Sequence, residues 1–141
     1  HFLIRPEFED VGIFVDPFNR GEILFKQDCQ ERLSQIYQQP FELEPSLFAP
    51  VSNKQILGRM LNNLKFVYLH RRELNKALAT MTGILKLFPG NAAEIRDRGL
   101  LYYQVNRWQE AVLDLEYFLK IAPNSEDAPT IKKLIQQINR V

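Results

Sequence analysis

The chain has 141 residues, 45% of them hydrophobic and 25% charged, the balance of a folded globular protein with room for one domain or two small ones. With 18 basic and 17 acidic side chains and a formal net charge of +1, it offers no electrostatic case for nucleic acid or an anionic membrane surface. No apolar run approaches the roughly 20 residues of a membrane span, no signal peptide is visible, and the lone Cys29 excludes an internal disulfide and points to a reducing, cytoplasmic setting.

Three short strands are predicted at the start. "HFLIR" and "GIFVD" are apolar and rich in β-formers, and "EILF" follows after the turn chemistry of Asn19-Arg20-Gly21. Asp28 reads as the N-cap of a helix to about Gln39, with Leu33, Ile36 and Tyr37 on one face. "PFELEPSLFAP" is punctuated by Pro40, Pro45 and Pro50 and reads as a connector and domain boundary. The predicted division is residues 1–45 and 46–141.

From Ser52 the pattern turns to long helices. Ser52 and Gln55 have the form of a capping box. Seven positions then recur at one spacing. Leu61, Leu64, Tyr68, Ala77, Ile84, Lys86 and Pro89 return as Ile95, Arg98, Tyr102, Ala111, Phe118, Lys120 and Pro123, each at an offset of 34. A period of 34 built from helix pairs is the signature of tetratricopeptide repeats, here about 58–91 and 92–125. Leu64 against Arg98 and Lys65 against Gly99 mark the first repeat as the less regular one. These recurring residues are packing positions. "DAPTIKKLIQQINRV" carries Ile131, Leu134, Ile135 and Ile138 at helical spacing and is predicted to cap the last repeat at about 127–141.

In such repeats the first helix of each pair lines a concave groove. By resemblance the groove residues are Arg59, Asn62, Phe66 and Leu69, then Ala93, Arg96, Leu100 and Tyr103. Phe66 stands where the clamp for acidic C-terminal peptides needs asparagine, so that ligand class is not expected. A protein or peptide partner is expected there, or intramolecular docking of the β-rich part and its connector.

If "HFLIR" and "GIFVD" pair symmetrically about residues 6–11, Ile4 faces Ile13, Phe2 faces Val15, and His1 faces Asp16. A carboxylate beside an imidazole fixes one ring nitrogen and leaves the other poised as a base. Taken alone, a strand histidine is more often packed or solvated, and an Asp before Pro more often forms a turn. Copper binding by an N-terminal histidine is a weaker alternative, because His70, the only other histidine, lies at the end of a long predicted helix.

"HFLIR" followed by "FVDPFN" resembles the histidine and aspartate strands of transglutaminase-like thiol enzymes, whose triads run Cys, His, Asp. With "ILGRMLNNLKFVY" and "RDRGLLYYQ" behind it, the chain resembles the bacterial SirB-type family, a transglutaminase-like core joined to tetratricopeptide repeats. The resemblance implies that His1 and Asp16 are a catalytic pair whose cysteine lies upstream, outside this chain. Cys29 follows the histidine and reads as a small helix residue. The expected fold is α+β: a small antiparallel sheet remnant, two helix-pair repeats and a capping helix. The expected function is a protein-interaction module, inactive as an enzyme in this form, with no metal or cofactor. The alternative is part of a cysteine-dependent acyl-transfer or peptide-hydrolysis enzyme.

Overall fold

Alternation in "IFVD" and the turn-forming Asn19-Arg20-Gly21 close a hairpin. A computed structural model describes residues 3–6, 12–43 and 45–141. In it β1 (Ile13–Asp16) pairs antiparallel with β2 (Glu22–Phe25), Asp16 lying opposite Glu22. Arg20 and Gly21 adopt positive φ, 58° and 74°, which brings the Gly21 N–H onto the Asp16 carbonyl at 2.9 Å. The chain falls into two compact units, His1–Pro50 and Val51–Val141.

Among the described residues, the predicted first strand contributes a bridge, Ile4 opposite Val15, through bonds of 2.9 and 2.7 Å. The expected register places Ile4 opposite Ile13, so the observed pairing is shifted by two residues. An even shift keeps every side chain on its face, and an odd one would turn Leu3 away from Phe14. Leu3 packs instead on the core formed by buried Phe14, Leu24 and Cys29. Ile4 is 55% exposed on the other face. His1, Phe2 and the predicted loop at 7–11 lie outside the described residues.

The helix α1 (Lys26–Tyr37) begins earlier than the sequence suggests. Asp28 is its third residue rather than its N-cap, because the carboxylate reaches back to accept the Phe25 N–H at 2.8 Å. The inward face also differs. Cys29 is buried, Arg32 and Leu33 are half-buried, and Ile36 and Tyr37 are exposed, Tyr37 stacking on Phe41. The proline-rich stretch forms a 3-10 turn at Pro45–Phe48 and sends Leu43 and Phe48 onto the hairpin core, Phe48 lying 4.8 Å from the Phe14 ring.

In the second unit the period of 34 is a structural period. The helices are α2 (Asn53–His70), α3 (Leu74–Leu87), α4 (Ala92–Gln104), α5 (Trp108–Ile121) and α6 (Ala128–Asn139). Both ends of α3 recur one period later as the ends of α5. The interhelix turn repeats bond for bond: Glu73 N–H to Tyr68 carbonyl returns as Arg107 to Tyr102, and Arg72 and Asn106 carry matching positive φ of 58° and 61°. Ala77 and Ala111 are both fully buried, which lets each helix pair cross closely. Gly99 serves the same end in the second pair, since a Cβ there would lie 2.9 Å from Leu115.

Ser52 caps α2 by accepting the Gln55 N–H, and Gln55 returns the bond to the Ser52 N–H, as the sequence pattern predicts. Ile131 and Ile135 of α6 are buried in the core of Leu85, Ile95, Leu115 and Phe118, so α6 covers the last repeat. The fold is α+β, a two-stranded antiparallel sheet and six α-helices among the described residues.

Candidate functional site

Two places carry the chemistry singled out from the sequence, one in each unit. In the first, Asp16 ends β1 fully buried. Its Oδ1 accepts the Phe18 N–H at 3.0 Å, and its Oδ2 accepts the Asn19 side-chain amide at 2.8 Å and the Arg32 guanidinium at 2.6 Å. Arg32 also donates to Glu22 at 2.7 Å, so one α1 side chain clamps both sides of the hairpin where Asp16 faces Glu22. Burial works to raise the Asp16 pKa, but the Asn19 and Phe18 hydrogen bonds and the Arg32 charge outweigh it and hold the carboxyl below its usual value. Asp16 is therefore a fixed, ionised carboxylate.

A depressed folded-state pKa contributes stability that is complete above the unfolded value and is lost as pH falls through the folded one. With an ordinary value of 3.8, the hairpin should be insensitive to pH above about 5 and should loosen only in stronger acid. Hydrogen exchange at the Phe18 and Asn19 amides checks this. Asp16→Asn should erase the acid step, and an unchanged step would assign it to another group.

His1 lies outside the described residues. Cys29 packs 4% exposed between Phe14 and Leu24. Its thiol is pushed up first by burial and then by the Asp28 charge, the opposite of what arms a nucleophile.

The second place is the face of α2 and α4. Arg59, Asn62, Phe66 and Leu69 recur every three or four residues on α2, and Arg96, Leu100 and Tyr103 do so on α4. The two helices are tied by Lys65, whose ammonium meets the Glu94 carboxylate at 2.8 and 3.1 Å with both residues buried. Phe66 is 61% exposed. Asn62 donates to the Gly58 carbonyl, and Leu69 packs against the Ala77, Leu78, Met81 and Leu101 cluster. Arg96 is engaged: it pairs with Asp97 and with Asp127, the residue that opens α6. Leu100 packs on the core that α6 covers. Tyr103 borders a cleft of about 300 Å³ with Gln104, Asn106, Trp108, Gln137 and Ile138.

The matches to known families divide the chain within α2 rather than at the boundary between the two compact units. A tetratricopeptide repeat family profile matches residues 64–136, just over half of the chain. The chain belongs to the tetratricopeptide repeat family. A transglutaminase-like superfamily profile matches residues 1–62 of this tetratricopeptide protein. Among curated proteins, a UPF0162 protein of Xylella fastidiosa is 30% identical over 94% of the chain and 48% of its own length. Protein SirB1 of Salmonella typhimurium is 31% identical over 90% of the chain and 46% of its own. The UPF0162 protein YchA of Escherichia coli is 31% identical over 99% and 51%. The chain spans about half the length of the curated relatives it matches. No helix among the described residues is long and apolar enough to cross a membrane.

Some residues of these sites escape sequence reading. Arg32 sits on a helix with no pattern tying it to Asp16. Glu94 left a trace only in the departure of Lys65 from its repeat partner Gly99. Trp108 is aromatic and exposed at a helix start, and it was legible only as composition.

Proposed function

We propose that this chain works as a protein-interaction module, binding a peptide segment of a partner protein on the α2–α4 face, and that it has no thiol chemistry of its own. The observation that carries the reading is Phe66, a large aromatic left 61% exposed on the inner helix of the first repeat. An exposed aromatic on a rigid helix loses little entropy on binding and makes a typical anchor. Arg96 is already neutralised by Asp97 and Asp127, so the face favours apolar and amide contacts over an acidic ligand. A photo-crosslinking residue at position 66 tests this. It should capture one discrete partner from cells, and the exposed α6 position Lys132 should not. Arg59→Ala with Asn62→Ala should reduce the yield by about tenfold. Equal capture at both positions would remove the face from consideration.

A second reading is favoured by the buried, ionised Asp16. In it Asp16 orients His1 within a cysteine-dependent acyl-transfer or hydrolysis site whose thiol comes from outside this chain. Asp16→Asn should move the imidazole signals of His1 in an NMR spectrum and leave those of His70 in place, and unmoved His1 signals would dismiss the pair.

A further inference from the structure

The inner face of α1 carries two different residues one turn apart. Cys29 packs on Phe14 and Leu24, and Arg32 meets the end of the hairpin. The guanidinium of Arg32 is divided between two acids. Its Nη1 donates to Asp16 Oδ2 at 2.6 Å, and its Nη2 donates to Glu22 Oε2 at 2.7 Å. An arginine facing one carboxylate frequently grips both oxygens with two parallel bonds. Here the strand pairing sets Glu22 opposite Asp16, and Glu22 takes the second nitrogen. The grip on Asp16 is therefore one-sided. Counting acceptors shows the consequence. Oδ2 accepts the Asn19 amide at 2.8 Å as well as Arg32, which fills its two lone pairs. Oδ1 accepts the Phe18 N–H at 3.0 Å, which uses one of its two. A two-pronged grip by Arg32 would have taken the other.

We infer that Arg32 is a positioning residue of the Asp16 site: with Asn19 it holds Oδ2, Glu22 keeps its second nitrogen off Oδ1, and Oδ1 is the oxygen that Asp16 presents to a histidine. The inference rests on the reading of Asp16 as the carboxylate that orients His1, and it gives that reading its working oxygen and its support. A histidine is fixed in one tautomer only if the atom its ring N–H meets is itself fixed. Three bonds fix the Asp16 carboxylate, and each comes from a different part of the unit: the backbone after β1, the turn at Asn19, and α1. The fully buried Asp16 charge also needs a counter-charge beside it, which Arg32 supplies. The Arg32–Glu22 pair differs in kind. The Glu22 side chain is half exposed, and a pair so open to water contributes little to stability. Glu22 therefore steers Arg32 more than it holds the fold together, and this separates positioning from folding in an experiment.

The test uses the full chain with nitrogen-labelled histidines, observed by NMR at about pH 8, where a neutral ring reports its tautomer. His1 should show one tautomer, and exposed His70 the mixture of a ring in water. Asp16→Asn should remove the His1 preference, which checks the underlying reading. Glu22→Ala frees the second guanidinium nitrogen to turn onto Oδ1, so His1 should lose its fixed tautomer while the thermal melt stays close to wild type. Arg32→Lys keeps the positive charge beside Asp16 but replaces the planar fork by a point donor, and it should fail in the same way. Exchange of the Gly21 amide, bonded to the Asp16 carbonyl, reports whether the hairpin is intact in each variant. A wild-type tautomer in Glu22→Ala overturns the one-sided grip, and one in Arg32→Lys shows that charge alone suffices and overturns the positioning. A hairpin opened by Glu22→Ala makes the pair a clamp of the fold and overturns the inference as well. If Asp16→Asn alone changes His1, the reading of the pair stands and this inference falls. If even Asp16→Asn leaves His1 unchanged, the reading falls and takes the inference with it.

Discussion

Glu94→Ala is expected to cost about 3–5 kcal/mol, because it strands the Lys65 ammonium in a site closed to water. Lys65 is 8% exposed and Glu94 5%, and their bonds of 2.8 and 3.1 Å join the inner helices of the two repeats. In a folded unit of this size that loss should lower the melting temperature by more than about 10 °C. The buried charge explains the magnitude, and a double substitution isolates it. Lys65→Met with Glu94→Leu removes both charges and keeps much of the volume, so it should return stability to wild type or above it. If the single variant melts like wild type, water reaches the pair. If the double variant is as unstable as the single, the pair's bonds matter more than its desolvation.

The second large effect is expected at Phe118. Its ring is 2% exposed and packs with Leu85 of α3, Ile95 of α4, Leu115 of α5, and Ile131 and Ile135 of α6. One side chain thus joins four helices. Phe118→Ala removes that contact and leaves a cavity, which costs about 3–5 kcal/mol. The loss should be local first. α6 depends on this core for its buried face, so its amides should exchange sooner than those of α2 and α3. A calorimetric melt gives the total, and hydrogen exchange gives the order. Uniform acceleration along residues 51–141 would show that the repeats unfold as one unit. Ile84 holds the equivalent position one repeat earlier at 1% exposure, so Ile84→Val, a one-methylene change, should register only about 0.5–1.5 kcal/mol.

The helix pairs were legible because their pattern is local and redundant. Each repeat states its apolar positions and turn residues a second time one period on, and α3 and α5 realise that statement at both ends. The β-rich part was legible only in outline. Apolar pattern pointed to Ile36 and Tyr37 as the inner face of α1, but the buried carboxylate of Asp16 draws Arg32 inward instead. A charge partner so far along the chain leaves no periodic trace. Asp28 had the composition of an N-cap and took the other role available to a carboxylate in a first turn. The strand register slipped by two because burial of Leu3 and Phe14 on one side fixes parity, not position. Of the candidate site, Phe66 followed from repeat position alone. The engagement of Arg96 by Asp127 did not, since it depends on where α6 begins.

We propose that this chain carries no thiol nucleophile of its own, and Cys29 tests that most directly. Cys29 is 4% exposed, and burial and the Asp28 charge disfavour its thiolate. The measurement is the rate of Cys29 alkylation by iodoacetamide across pH, in the native chain and in urea. The native thiol should react at least about a hundredfold more slowly than the unfolded one and should form thiolate only above the ordinary value of 9.0. A native thiol that reacts faster than the unfolded one, with thiolate formed well below that value, would contradict the account and make Cys29 a nucleophile.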